Sequence, residues 1–285
     1  MDKISIGIIG GSGIYDIEGV EDVSNNAVDT PFGAPSDKII VGTLSGVRFA
    51  FLPRHGRGHR ISPSEVNYRA NIYALKKLGV EKIISVSAVG SLKEEYKPRD
   101  FVIPDQLFDR TKSRVSTFFS DGIVAHVGFA DPFCPHLSAI AYDTAKKIKI
   151  PVHKGGTYIC MEGPQFSTRA ESNAYRKMGF SIIGMTNLPE AKLAREAEMC
   201  YVTVALVTDY DVWKQDEEVS LEQVLANLSA NSENAKKFIK TILPLLQEKS
   251  PCSCSQALST AIVTAKDNIP KTTLEKLDLL IKKYM

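Results

Sequence analysis

Apolar residues fall in short unbroken runs along much of the chain: IGIIG at 6–10, VRFAFL at 47–52, KIISVS at 82–87 and YVTVALV at 201–207. Runs of this length without polar alternation fit strands covered on both faces, as in a sheet sandwiched by helices. The pattern predicts strands at 4–9, 38–44, 47–52, 82–87, 101–103, 156–161, 182–185 and 201–208. Helical patterns alternate with them. In "SPSE", Ser62 is the expected N-cap, Pro63 the first helical residue and Glu65 the reciprocal capping partner. That helix should run to about 78 and stop at Gly79. "STRAESNAYRKMG" predicts a helix ending at Gly179, "PEAKLAREAEM" one opened by Pro189, and 221–246 a long one. After Asn268, Leu274, Leu277, Leu280 and Ile281 give a helical period that suits packing on this domain or on a second subunit. Alternating strands and helices with no repeat or linker read as a single α/β domain.

Composition narrows the class. The 285 residues are 44% hydrophobic and 24% charged, ordinary for a globular chain. A net charge of +2 gives no reason to expect a nucleic-acid partner. No apolar stretch approaches the ~20 residues of a membrane span. Met1-Asp2-Lys3 leads directly into the first strand without a signal-peptide pattern, so a cytoplasmic location is expected. There are five cysteines. Cys134, Cys160 and Cys200 read as small buried residues. Cys252 and Cys254 form "CSC" in the polar stretch "EKSPCSCSQ", where a core role is not expected. Zinc would need two further ligands, and no CxxC or paired histidine supplies them, so no metal is expected.

The first strand breaks into Gly10, Gly11, Ser12 and Gly13. Such a turn can hold a dinucleotide, a bare phosphate, or nothing. The dinucleotide pattern G-x-G-x-x-G fails at its third glycine, where Asp16 stands, and no Gly-Lys-Ser/Thr follows for a P-loop. A single phosphate needs only a few amides, a hydroxyl and a cation. Ser12 offers the hydroxyl. "RHGRGHR" at 54–60 offers three arginines and two histidines, with glycines that admit close approach. "SVSAVGS" places Ser87 and Ala88 beside an expected turn at Gly90. In parallel sheets, ligands gather at the carboxyl ends of strands. A second unusual strand end is "TDYD", where Asp209 and Asp211 share a face of extended backbone. An Asx turn or helix cap explains such a pair, and so does a carboxylate pair that binds or protonates a substrate.

Taken together, "IGIIGGSG", "TPFGAPSD", "LPRHGRGH", "VSAVGSL", "EGPQFSTRAES", "GMTNLPEAKLAREAEMCY" and "VTDYDVW" resemble the 5′-methylthioadenosine phosphorylases of the purine nucleoside phosphorylase superfamily. The likeness spans residues 4–264, and its wording is nearest the archaeal heat-stable branch. It implies one α/β domain (1–264) built on a mixed, partly barrel-like sheet flanked by helices, with 265–285 as a helical extension. It implies a homo-oligomer, a trimer or hexamer. The implied enzyme is a pentosyltransferase in purine and methionine salvage. It would convert methylthioadenosine and phosphate to adenine and 5-methylthioribose 1-phosphate without metal or organic cofactor. Adenosine is a further candidate substrate.

Ser12, Arg54, His55, Ser87, Ala88 and Thr186 match the family's phosphate contacts, which makes phosphate the occupant of the glycine turn. Met185 matches the residue under the ribose and Phe166 an aromatic against the base. Asp209, Tyr210 and Asp211 match the purine-reading segment, with Asp209 as the acid at purine N7. His59 matches a residue near the alkylthio group, and His126 one supplied by a neighbouring subunit. Ser167 and Leu221 match positions that tune substrate preference. A disulfide between Cys134 and Cys200 and an oxidisable Cys252/Cys254 pair are implied by heat-stable relatives. A carboxylate accepts from a 6-amino group but has no proton for a 6-oxo group. This disfavours the alternative, a phosphorylase of broad or 6-oxopurine specificity. The broken glycine motif disfavours a nicotinamide-dependent oxidoreductase or sensor.

Overall fold

The computed structural model describes residues 4–11, 17–214, 221–248 and 251–285. Its organising element is β5 (Lys82–Ser91), a ten-residue strand. One edge of β5 pairs in parallel with β1 (Ile6–Gly10) along 82–85 and antiparallel with β10 (Ile182–Gly184) at 90–91. The other edge pairs in parallel with β11 (Cys200–Asp209) over nearly its whole length. From β1 the sheet continues through β4 (Val47–Pro53) and β3 (Ile39–Leu44) to β2 (Glu21–Asn26). From β10 it continues through β9 (Thr157–Met161) to β7 (Gln106–Arg110), and β11 leads to β6 (Phe101–Ile103) and β8 (Val152–Lys154). The sheet is therefore mixed.

Period-two alternation explains the unbroken apolar runs. Ile6, Ile8, Ile84, Val86, Val202 and Val204 face one core, which α2 (Pro135–Lys147) and α5 (Leu221–Ile242) cover. Ile9, Ile83, Val89, Tyr201 and Val207 face the other, with residues of α1 (Tyr68–Lys77) and α4 (Asn187–Glu196). Every residue of β1 is buried. No helix among the described residues is long and apolar enough to cross a membrane.

Three expectations change. The Ser62–Glu65 pair forms, with Glu65 Oε2 accepting from Ser62 N at 3.0 Å and Ser62 Oγ at 2.6 Å, but it closes a turn. The helix starts later, at Tyr68, because the Asn67 side chain accepts from Ala70 N at 3.1 Å and takes the N-cap role. The strand at 82–87 does not end in a turn at Gly90. It runs on to Ser91 because β10 and β11 supply partners there. Four further elements escaped the hydrophobic pattern: β2, whose "EDVSNN" is polar and almost wholly exposed, the short β7 and β8, and α2.

α3 (Arg169–Lys177) opens with a full capping box between Thr168 and Glu171. At the C-terminus, α6 (Lys271–Ile281) packs Leu277, Leu280 and Ile281 into this chain's own core. Glu198 fastens the C-terminal segment on both sides of that helix: it accepts from Leu258 N at 3.0 Å and from Tyr284, and pairs with Lys283.

Candidate active site

The carboxyl ends of β1, β4, β5 and β11 open onto one cavity of about 360 Å³. Gly11 reaches it from β1, Arg54 and His55 from β4, Ser87 to Gly90 from β5, and Asp209 and Asp211 from β11. This is where ligands bind in parallel sheets.

At one end, Arg54 is fully buried and bound to Glu190, Nε to Oε2 at 2.8 Å and Nη2 to Oε1 at 3.1 Å. Its Nη2 also donates to Ser85 Oγ at 2.7 Å and its Nη1 to the Val86 carbonyl at 3.0 Å. Four of the five guanidinium N–H donors are thus used, leaving one on Nη1. Burial by itself would lower the Arg54 pKa, but the adjacent Glu190 carboxylate raises it further, so the group stays cationic. His55 lies beside it, with Nδ1 2.8 Å from the Ile61 carbonyl. A carbonyl only accepts, so Nδ1 carries the proton and Nε2 remains for other contacts. Burial, helped by the Arg54 charge, pushes the His55 pKa down to about 4. His59 stacks on His55, ring centroids 4.4 Å apart, and also lines the cavity. The Ser87 and Thr186 hydroxyls lie 3.1 Å apart.

The basic loop contributes less than its composition suggests. Arg57 and Arg60 are exposed and face Asp37 at 4.0 Å each. Gly56 (φ +68°) serves the turn rather than a ligand: a Cβ there would stand 3.1 Å from the Ser36 carbonyl and 3.0 Å from Arg60.

The other end is acidic. Asp209 Oδ2 accepts from Thr208 Oγ1 at 2.7 Å, and Oδ1 accepts from Asp211 N at 2.8 Å, an Asx-type turn. The turn and the carboxylate pair are therefore built from the same two residues. The backbone leaves extended geometry here, with a bulge between Val207 and Asp209 and Asp211 at φ +51°. Gly90 pairs with Asp209, and a Cβ on it would approach Asp209 Oδ1 to 3.0 Å and Ile183 Cγ2 to 3.1 Å. Burial raises the Asp209 pKa against the Thr208 and Asp211 hydrogen bonds. Burial also raises that of Asp211, with the Asp209 charge adding and the hydroxyls of Ser172 and Ser167 opposing.

Between the ends, Met161, Phe166, Ile183, Met185 and Leu228 make apolar walls. Ala88 and Thr186 line the cavity as well. Phe166 is 55% exposed, at the mouth. Tyr210 is placed elsewhere: its ring is buried against Trp213 and its hydroxyl donates to the Glu94 carbonyl at 3.3 Å. Ser167 lies just behind the wall, near Met161 Sδ at 3.9 Å. His126 is exposed and outside this cavity. Ser12 and the side chain of Leu221 lie outside the described residues.

Two site-building residues left no readable trace in the sequence. Glu190 is one, recognisable only once Arg54 and Tyr201 meet it. Arg114 is the other. It donates to the carbonyls of Met185 and Leu188 at 2.6 Å each and so fixes the wall that Met185 belongs to.

The cysteines stand apart from the cavity, and all five are thiols. Four of them form one group: the Sγ atoms of Cys134, Cys200, Cys252 and Cys254 all lie within 4.8 Å of one another. Cys254 is buried in the core rather than in a polar loop, because the segment folds back onto β11 and α2.

Comparison with known proteins places these features in a family. The phosphorylase superfamily matches residues 5–244. An S-methyl-5′-thioadenosine phosphorylase of Koribacter versatilis is 59% identical over 283 residues, covering 99% of this chain and 97% of the relative. A methylthioadenosine phosphorylase from an Antarctic soil metagenomic library superimposes with a TM-score of 0.92 at 52% identity, covering 98% of this chain and 99% of that one. A variant adenosine/methylthioadenosine phosphorylase of Schistosoma mansoni, in complex with methylthioadenosine, gives 0.84 at 36% identity, covering 90% and 96%.

Proposed function

This chain belongs to the phosphorylase superfamily, and from that premise we propose that its reaction is the reversible phosphorolysis of 5′-methylthioadenosine. The products are adenine and 5-methylthioribose 1-phosphate. Beyond the family, one observation supports the reading: a single cavity carries an anion-suited end at Arg54, His55, Ser87 and Thr186 and a carboxylate end at Asp209 and Asp211.

A phosphate oxygen attacks C1′ as the C1′–N9 bond breaks and its electron pair passes to the purine. Positive charge grows on the ribose and negative charge on the base. Phosphate beside Arg54 stabilises the first. Asp209, whose pKa burial raises, delivers a proton to N7 and relieves the second. Neutral His55 keeps Nδ1–H on Ile61 and presents Nε2 to the P–OH of a monoprotonated phosphate. Gly11, Ser12, Ser87, Ala88 and Thr186 supply the remaining amides and hydroxyls. Met185 packs under the sugar, and Phe166 closes on the base.

Asp209 spends its one proton on N7 and keeps none for a 6-oxo group, while the remaining carboxyl oxygens of the pair accept from a 6-amino group, so adenosine belongs to the proposed substrates and inosine does not. Ser167 and Leu221 tune that preference. His59 sits toward the 5′ substituent. His126 lies outside its own chain's cavity, so a role for it at the alkylthio group requires a neighbouring copy; a homo-oligomer in the cytoplasm completes the proposal. Phosphate is a substrate, and no organic cofactor enters the scheme.

The test is adenine release from methylthioadenosine with and without phosphate. Release that depends on phosphate supports the reading. Equal release in both would mean hydrolysis and a misread anion end.

A further inference from the structure

Cys134 is the N-cap of α2, Cys200 opens β11, and Cys252 and Cys254 follow α5, so three separate segments converge on one point. Their four sulfurs lie within 4.8 Å of one another, with Cys200 and Cys252 at 3.3 Å. A tetrahedral zinc with Zn–S bonds of about 2.3 Å sets its sulfurs roughly 3.8 Å apart. Disulfides would split four sulfurs into two close pairs. One compact group of four is the arrangement a shared ion needs.

We propose that Cys134, Cys200, Cys252 and Cys254 form a closed structural zinc site. Cys134, Cys200 and Cys254 are buried and Cys252 half-buried, and four thiolates fill the tetrahedron, so no ligand position is left for water or substrate. Binding releases the four thiol protons to solvent and leaves a centre of net charge −2. Buried charge needs compensation. Cys200 is the register partner of Lys82 on the adjacent strand. The Lys82 side chain is buried and its Nζ donates to the Leu246 and Glu248 carbonyls, with no carboxylate within 4.0 Å among the described residues. That cation is available to offset the centre. The backbone holds the ligands firmly: Cys134 N donates to Tyr201 O at 2.9 Å and Cys200 N to Glu81 O at 2.8 Å. The site would pin the segment that leads to Leu258, itself hydrogen-bonded to Glu198, and so to the docked tail. The site is independent of the phosphorolysis reading.

The experiment uses the full chain, purified under reductant after growth with added zinc. Elemental analysis should give one zinc per chain. Titration with an organomercurial should release that zinc in step with four thiols. Cobalt(II) exchanged into the site should show the intense visible bands of tetrahedral thiolate coordination. The double variant C252S/C254S should lose the zinc and melt at lower temperature, yet release adenine at the wild-type rate when folded. The single variant C252S should bind zinc far more weakly with the fold preserved. Substoichiometric zinc in a chain whose four thiols titrate freely in excess zinc would overturn the proposal. A Cys134–Cys200 disulfide in protein handled without oxygen would also overturn it.

Discussion

The two ends of the cavity carry opposite charges in sequence and converge in the fold. The basic end holds Arg54 and His55, the acidic end Asp209 and Asp211. At the first, Glu190 cancels the Arg54 charge and burial drives His55 to its neutral form. At the second, no salt bridge reaches either carboxylate among the described residues, and burial raises both carboxyl pKa values. At one end the charge is answered by a partner, and at the other desolvation disfavours the charged form. In the proposed reaction the charge comes with phosphate at one end and develops on the purine at the other.

Breaking the acidic end should have the largest effect. Asp209→Asn keeps one acceptor oxygen, replaces the other with an NH2 donor, and cannot act as a general acid. Its kcat/KM with methylthioadenosine should fall by roughly 10²–10⁴-fold, and unchanged turnover would reassign the acid. Breaking the basic end acts on folding instead. Glu190→Ala strands a buried guanidinium and should cost about 3–5 kcal/mol in denaturant unfolding; an unaltered midpoint would mean that the pair is not what neutralises this end.

Acid titration sharpens the contrast. With a folded pKa of about 4 against an unfolded value near 6.5, His55 binds its proton more readily when unfolded. Its contribution is present above pH 6.5 and is lost as pH falls through 4, up to roughly 3 kcal/mol. Asp209 and Asp211 oppose it, since raised folded pKa values add stability at low pH and lose it as pH rises through them. His55→Gln should therefore remove a downward slope in melting temperature between pH 6.5 and 4. Gly90→Ala should raise KM for the nucleoside roughly tenfold by displacing Asp209, with the KM for phosphate spared; equal rises would show the two ends to be coupled. Thr168→Ala, which removes a helix cap away from both, should cost only ~1 kcal/mol with kcat unchanged.

Legibility in the sequence followed the same division. Buried strands were readable because both faces are apolar, whereas β2 was not, since its pairing with β3 leaves most of its polar side chains in solvent. The phosphate-side and carboxylate residues were visible because small, basic and acidic side chains interrupt apolar runs at strand ends. Glu190 and Arg114 were hidden because their roles depend on partners 136 and 71 residues away. The convergence of four thiols was hidden for the same reason: no local spacing brings Cys134 to Cys254.

β5 has a further consequence, one of length. Ser87 stands at the Arg54 end of the cavity and Gly90 beneath Asp209, three residues on along the same strand. At about 3.3 Å per residue, the strand sets these marks roughly 10 Å apart. Its pairing on both edges fixes the graduations, so β5 works as a ruler against which a nucleoside is measured. Substrate families that differ at the 6-position or the 5′ substituent can be reached by exchanging side chains around that ruler. A change in the distance between phosphate and base would require a new strand register, which no single substitution supplies.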